Sequence, residues 1–147
     1  MRRTHAALAT AMAIVALLAA GGASAQQTAD PSFGRVKTHA IEVCNPQGQR
    51  AYLARLVCAD NSHPTFERLG NVGPRRDFPP DMPEGAAIRF INQAAERTPL
   101  EAGQTDHHMV DHYSVKCPDT TTDLFLDMYH CDAPAPRHAP AGFSITN

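Results

Sequence analysis

The sequence has no tryptophan, and aromatic residues make up only 6% of its 147 residues. Aromatic side chains bury a large area per residue, so their scarcity predicts a small hydrophobic core. Beyond the first 25 residues, the sequence also lacks an apolar run of the roughly 20 residues that a membrane-spanning helix needs. We therefore expect no transmembrane segment in the remainder of the chain.

Basic clusters and enzyme signatures are also missing. Beyond the N-terminus, Arg75 and Arg76 are the one adjacent basic pair, and such a pair is typical of the exposed rim of a turn. Nucleic-acid binding uses a clustered basic surface, so we expect no nucleic-acid partner. No G-x-S-x-G or H-E-x-x-H pattern occurs, which favours a protein without catalytic activity.

The N-terminus has the three parts of a secretory signal peptide. Arginines at positions 2 and 3 precede an apolar run over residues 6–20, and small residues ending at Ala25 form an A-x-A cleavage pattern. The run is too short for a retained membrane helix. We expect cleavage between Ala25 and Gln26 and a location outside the cytoplasm, either periplasmic or extracellular.

The rest of the chain is predicted to form one domain. Removal of the leader takes away two arginines and leaves a net charge of about −4. The remaining length, roughly 120 residues, is enough for one modest core. The predicted segments are a signal peptide (1–25), a flexible N-terminal segment (26–35), a single α+β domain (36–132) and a Pro-rich C-terminal tail (133–147).

Four cysteines follow the leader, at positions 44, 58, 117 and 131. An even number of cysteines in an exported chain indicates two disulfides, because thiols are oxidised outside the cytoplasm. A zinc site made of four thiolates is the alternative. Zinc modules place their cysteines in close pairs, whereas thirteen residues separate the members of each pair here.

The disulfide connectivity depends on two predicted turns, NPQG at 45–48 and PDTTTD at 118–123. Within either hairpin the second cysteine would lie more than ~20 Å along the return strand, beyond the reach of a disulfide. We therefore favour bridges between the hairpins, from Cys44 to Cys131 and from Cys58 to Cys117. Four cysteines allow three pairings, and the sequence alone does not choose among them.

The strands are predicted from β-branched and partly alternating stretches. These stretches lie at 36–44, 50–58, 108–117 and 124–131, and the sequence TFERLG after residue 64 offers a further short strand. The following NVGPRRDFPPDMP is rich in glycine and proline, so we expect it to be a loop.

One helix is predicted after that loop. Asp81 and Glu84 have the spacing of a capping box, and the helical pattern ends near position 98. Ile88, Ile91 and Ala95 recur at the helical period and are expected to pack on the core. The predicted fold class is α+β, a small antiparallel sheet of two hairpins with one packed helix, stabilised by disulfides.

The stretch DHHMVDHYSVKC at 106–117 concentrates histidine and aspartate. If the loop after it covers 118–123, Asp111 lies opposite His130 on the next strand. A carboxylate beside an imidazole can orient a general base, so a hydrolase built on Asp111 and His130 is one hypothesis. No nucleophile accompanies this pair, and a polar pair at the edge of a sheet is the simpler interpretation.

A metal site is another hypothesis for the same region. Its ligands would be His107, His108, His112 and His130. Together with Met109 and Met128, these imidazoles suit copper, and without the thioethers they suit zinc. On an extended strand His108 and His112 would be ~13 Å apart, so the pattern alone assigns no metal ligand and no cofactor.

The function that these observations favour is a small exported binding or envelope-associated module without catalytic activity. Its partner would be a protein or another envelope component, bound at a face of the sheet or at the loop over 70–83. Metal binding by histidine and methionine is the first alternative, and hydrolysis by Asp111 and His130 is the second.

Overall fold

A computed structural model describes residues 30–146 of the chain. The strands are β1 (Ile41–Glu42), β2 (Leu56–Val57), β3 (Thr65–Pro74), β4 (Met109–Lys116), β5 (Thr121–Asp127) and β6 (Ser144–Ile145). The α-helices are α1 (Asn45–Ala54) and α2 (Glu84–Glu96), and a short 3-10 helix covers Lys37–His39, within the strand predicted at 36–44. Among residues 30–146, no helix has the length and apolar character to span a bilayer. The predicted signal peptide, with its cleavage point at Ala25 and Gln26, lies outside the described residues.

The predicted α+β, disulfide-stabilised class is confirmed, although the main sheet is mixed rather than wholly antiparallel. Its strand order is β1-β5-β4-β3, with β1 parallel to β5 and β4 antiparallel to both of its neighbours. Strands β2 and β6 form a separate antiparallel pair. The order brings the ends of β1, β3 and β5 to the same edge of the sheet as the start of β4.

Helix α1 covers the core face of the sheet. It occupies residues 50–54 of the strand predicted at 50–58, and only Leu56–Val57 of that range forms a strand. Gln49, Tyr52 and Leu53 are buried on the inner side of α1. Tyr52 and Leu53 belong to the same core cluster as Tyr113 and Val115 of β4. The helix that packs on the core is therefore α1, which replaces one of the two predicted hairpins, rather than the predicted helix after residue 83.

This helix begins at Asn45-Pro46, where the sequence analysis placed a hairpin turn. The side-chain oxygen of Asn45 accepts a hydrogen bond from the N–H of Gly48 at 3.0 Å. Pro46 lacks an N–H group, which suits the first turn of a helix. Asparagine and proline favour helix starts and turns alike, so the local pattern alone did not distinguish the two.

Strand β3 is longer than predicted and continues to Pro74, through residues that were expected to be loop. Two irregularities in its pairing with β4 accompany Gly70 and Gly73, whose φ angles are 139° and 88°. Glycine adopts such angles readily, so the strand bulges without losing its partner. The bulged strand delivers Arg75 to the edge of the sheet, where its N–H donates to the carbonyl oxygen of His108 at 2.7 Å.

The β4–β5 hairpin lies where the sequence placed it, but its register was predicted wrongly. Strand β5 begins at Thr121, and Asp111 therefore lies opposite Leu126 rather than opposite His130. The threonines that were assigned to the turn continue the strand instead, because β-branched residues favour extended backbone.

Helix α2 is present, but the side predicted to pack on the core is exposed. Ile88 and Ile91 are 49% and 59% exposed, whereas Phe90 is buried. No side chain caps the first turn, so the predicted capping box of Asp81 and Glu84 is not formed. Because α1 occupies the core face of the sheet, α2 packs at the sheet edge through Phe90.

The two disulfides join the pairs that the sequence analysis favours, Cys44 to Cys131 and Cys58 to Cys117. The first bond ties the start of α1 to the segment after β5. The second ties the segment after β2 to the end of β4. Since β4 and β5 are antiparallel, the two bonds fasten opposite edges of the sheet.

The segments on both sides of the predicted domain also pack against the core. Phe33 is partly buried against it in the N-terminal segment, and Pro140 is fully buried in the Pro-rich tail. The hydroxyl group of Tyr52 donates to the carbonyl oxygen of His138 at 2.7 Å, and β6 pairs with β2. The described parts of both segments thus belong to the folded unit.

Candidate binding site

Residues from all four strands of the main sheet meet at one edge. Glu42 ends β1 and pairs with Asp127, which ends β5. His108 directly precedes β4, and Arg75 directly follows β3. The edge cluster is defined here as Asp106, His108, Asp127 and His130, with Arg75 and Glu42 beside them.

Two imidazoles and two carboxylates of the edge cluster lie within contact distance. Nε2 of His130 is 3.2 Å from Oδ2 of Asp106 and 3.1 Å from Oδ2 of Asp127. Nδ1 of His108 is 3.1 Å from Oδ1 of Asp106 and 3.7 Å from Oδ2 of Asp127. One donor atom from each of the four residues lies within 4.8 Å of the others.

Arg75 completes the charge balance of the edge cluster. Its guanidinium group donates to Oδ2 of Asp106 at 3.0 Å and to a carboxylate oxygen of Glu42, and it lies 3.8 Å from Oδ2 of Asp127. The side chain is mostly buried, so Arg75 is not on the exposed turn rim that the sequence predicted. Buried carboxylates need a positive partner, and the bulged end of β3 supplies it.

The carboxylates control the protonation of the two histidines. Burial by itself lowers the pKa of His108 and His130, but the contacts with Asp106 and Asp127 outweigh burial. They raise the pKa of His108 to about 9 and the pKa of His130 to about 10. Burial raises the pKa of Asp106, whereas the two imidazoles hold it well below its usual range. In the protein alone the cluster is therefore an ion-pair network in which both imidazoles are charged at neutral pH.

His108 is the least satisfied residue of the edge cluster. It is 2% exposed, and neither of its ring nitrogens has a hydrogen-bond partner among the described residues. The close Nδ1 contact with Asp106 is an electrostatic contact without hydrogen-bond geometry. A buried polar group without a hydrogen bond costs about 1–3 kcal/mol, so electrostatic contacts with the two carboxylates, rather than hydrogen bonds, hold His108 at this position.

An apolar pocket of about 350 Å³ lies beside the edge cluster and shares His108 with it. Its walls come from α2, the loop after β3, the start of β4 and the segment after β5. Aromatic rings dominate them: Phe78 stacks on His107 with centroids 4.6 Å apart, and His108 stacks on Tyr129 at 5.0 Å. Ile91 and Met109 are exposed on the wall of the pocket. We call this space the aromatic pocket.

The structure separates the four histidines of the predicted metal site. His108 and His130 come together in the edge cluster, but His107 and His112 do not join them. Nδ1 of His107 bonds to the carbonyl oxygen of Arg76 at 2.6 Å. His112 stacks on Phe125 and lies on the part of β4 away from the edge.

The predicted pair of Asp111 and His130 is not formed either. Asp111 accepts hydrogen bonds from Arg68 at 2.6 and 2.9 Å and from Gln49 at 3.1 Å. His130 bonds instead to Asp106 and Asp127. The hydrolase hypothesis therefore loses the geometry on which it depended.

Sequence reasoning missed Asp106, Asp127 and Arg75 as members of the site. A local signal for the two aspartates was present, since each precedes a histidine of the cluster by two or three residues, in Asp106-x-His108 and Asp127-x-x-His130. No local signal pointed to Arg75, because the bulges of β3 bring it there.

Comparison of the chain with protein-family models, with curated proteins and with solved structures gives no match. A functional proposal for this protein therefore rests on the geometry of the described residues.

Proposed function

We propose that the protein is an exported, non-catalytic binding domain and that the aromatic pocket holds a small apolar ligand. The observation that carries the proposal is the pocket itself, a cavity of about 350 Å³ walled by Phe78, Phe90, His107 and Tyr129. Ligand pockets of proteins typically enclose roughly 300–1,000 Å³ and are lined mainly by apolar and aromatic groups.

The exposure of apolar side chains around the pocket supports the proposal. Ile91 is 59% exposed and Met109 is 43% exposed, although both could pack against an apolar ligand. Exposed apolar surface that borders a concavity is typical of a binding site. The segment over 70–83, which the sequence suggested as a working surface, contributes Phe78 from the part that follows β3.

Two disulfides are consistent with an exported small domain. Together with the predicted leader, they support a periplasmic or extracellular location. An envelope component with an apolar ring or short chain has the chemistry that the aromatic pocket would accept.

A fluorescence titration with N-phenyl-1-naphthylamine tests this function, because the probe brightens when apolar groups surround it. The folded protein with a chelator present is expected to bind one probe molecule saturably, with a micromolar Kd. Ile91→Glu should weaken binding at least tenfold, which is about 1.4 kcal/mol, since it places a charge on the pocket wall.

Ile88→Glu is the matched control, because Ile88 is also exposed on α2 but does not line the aromatic pocket. Its affinity for the probe should equal that of the unchanged protein. Equal losses in the two variants, or no saturable fluorescence in any of them, would refute the aromatic pocket as a ligand site.

A further inference from the structure

We propose that the edge cluster also binds one divalent transition-metal ion, through Asp106, His108, Asp127 and His130. This inference goes beyond the proposed function, because it concerns the polar side chains of the edge cluster, which share only His108 with the aromatic pocket. Two imidazoles with two carboxylates match the ligands that zinc uses in proteins. Calcium and magnesium prefer sites made of oxygen ligands alone, so the pair of imidazoles disfavours them.

The spacing of the donor atoms fits a tetrahedral ion. Ligand bonds of ~2.0–2.1 Å around zinc place neighbouring donor atoms about 3.3 Å apart. With Oδ1 as the ligand atom of Asp106, three imidazole–carboxylate contacts join the donor atoms of the edge cluster, and they measure 3.1, 3.1 and 3.7 Å. One donor atom from each of the four residues lies within 4.8 Å of the others, so side-chain rotations must draw these atoms together around an ion.

The buried imidazole of His108 is the second, independent observation. Its Nδ1 is directed at the two carboxylates, yet neither ring nitrogen has a hydrogen-bond partner among the described residues. Hydrogen bonding within the fold therefore does not account for its burial. Coordination of an ion by Nδ1 supplies the missing interaction.

The charges of the edge cluster also match a divalent ion. With neutral imidazoles, the carboxylates of Asp106, Asp127 and Glu42 and the guanidinium of Arg75 sum to a net charge of minus two. One divalent ion neutralises this charge. Arg75 can retain Oδ2 of Asp106 and orient this carboxylate while Oδ1 faces the ion.

A second cavity, of about 340 Å³, is lined by Glu42 and Arg75. The carboxylate of Glu42 is half exposed, and the guanidinium of Arg75 contacts both Asp106 and Asp127. Arg75 thus links this cavity to the carboxylates of the edge cluster.

Calorimetric titration of the full exported chain with Zn²⁺ at neutral pH, after removal of metals with a chelator, tests the inference. We expect one ion per chain with a micromolar or lower Kd, and release of protons that makes the measured heat depend on the buffer. Cu²⁺ should bind more tightly than Zn²⁺. The Co²⁺-loaded protein should show the visible absorption bands of tetrahedral coordination.

The variants separate the edge cluster from the other histidines. His130→Ala, at a residue that is partly exposed, should weaken Zn²⁺ binding at least tenfold, as loss of even an outer-shell partner does. His112→Ala is the matched control and should bind Zn²⁺ unchanged, because its side chain lies outside the cluster. Asp127→Asn is a second test that keeps the size of a buried side chain, with folding checked by circular dichroism.

The metal inference is overturned if the unchanged protein takes up no Zn²⁺ at 100 µM free ion, on the order of the weakest affinity that such a site would have. Equal losses of affinity in His112→Ala and His130→Ala would overturn it as well. Either result identifies the edge cluster as a structural ion-pair network. The fluorescence titration contains a chelator and does not depend on metal. A negative metal titration would therefore not contradict the proposal that the aromatic pocket binds a ligand.

Discussion

Asp111 shows how a buried carboxylate is satisfied in this protein. Arg68 donates two hydrogen bonds to it, and Gln49 of α1 donates a third. The other end of the Gln49 amide accepts a hydrogen bond from the hydroxyl group of Tyr113. Each buried polar group of this network has a partner, which indicates a structural role and contrasts with the unpartnered His108 of the edge cluster.

The network predicts a loss of stability when its carboxylate is removed. Asp111→Ala leaves the buried amide of Gln49 without its acceptor, so the free energy of unfolding should fall by about 1–3 kcal/mol. Urea unfolding at neutral pH measures the change. Asp119→Ala, at an exposed aspartate between β4 and β5, is the control and should change stability by less than about 0.5 kcal/mol. A similar effect of both substitutions would contradict the structural role of Asp111.

At the scale of elements, α1 is the feature that the sequence pattern described least well. Its buried residues Gln49, Tyr52 and Leu53 include one polar side chain, so the helical periodicity is weak. The alternation in the same segment also fits a strand. Packing against the sheet favours the helix over the strand. The helix covers Tyr113 and Val115 on the core face of the sheet, whereas a strand would leave these side chains exposed.

The start of α1 carries a prediction about its stability. Asn45→Ala removes the oxygen that accepts a hydrogen bond from the N–H of Gly48. It also puts alanine at a φ of 59°, a left-handed conformation that asparagine adopts more readily. The free energy of unfolding should therefore fall by about 1–2 kcal/mol in a urea titration. Gln47→Ala, at an exposed position of the same helix, should leave it nearly unchanged. If the two variants unfold at the same urea concentration, Asn45 does not cap this helix.

Helix α2 shows the opposite case, in which the element was predictable but its environment was not. The helical period of Ile88, Ile91 and Ala95 located the helix correctly. The same spacing predicted that these residues would be buried against the core. The isoleucines are exposed instead, because α1 already covers the core face of the sheet. Periodicity reports that a helix has an apolar side, whereas the rest of the fold decides what that side contacts.

At the scale of the whole molecule, the disulfides hold a fold whose core is small. The bonded residues are 87 and 59 positions apart in the chain. A disulfide that closes a loop of this length lowers the conformational entropy of the unfolded chain. In the chain-entropy treatment this raises the free energy of unfolding by about 4 kcal/mol per bond. The bonds fasten opposite edges of the sheet, so they restrain the edge cluster as well as the opposite end.

Removal of one disulfide should therefore lower the free energy of unfolding more than loss of any single surface contact. The double variant Cys58→Ser/Cys117→Ser is expected to lose about 3–4 kcal/mol of unfolding free energy in urea, because the unfolded chain regains freedom. The unchanged protein should show no reactive thiol before unfolding, and only reduction should release four. An unchanged urea midpoint in the double variant, or free thiols in the folded protein, would contradict this account.

The sequence by itself determined the features that depend on composition and spacing. Four cysteines in a chain with a predicted leader indicated two disulfides, and the helical period located α2. The favoured pairing of Cys44 with Cys131 matches the structure, although α1 replaces one of the hairpins behind that reasoning. These features depend on the number of cysteines and on the spacing of apolar residues, and both can be read directly from the sequence.

Only the tertiary structure decided which polar residues meet. Arg75, Asp106 and Asp127 enter the edge cluster because bulges in β3 and the register of β5 bring three separate segments to one edge of the sheet. A shift of register by one residue moves every side chain of a strand to the other face of the sheet. The sequence did not fix the register of β5 against β4, because its threonines fit either the turn or the strand. The partners of Asp111 and His130 were therefore decided by strand pairing and by the helix that covers the sheet.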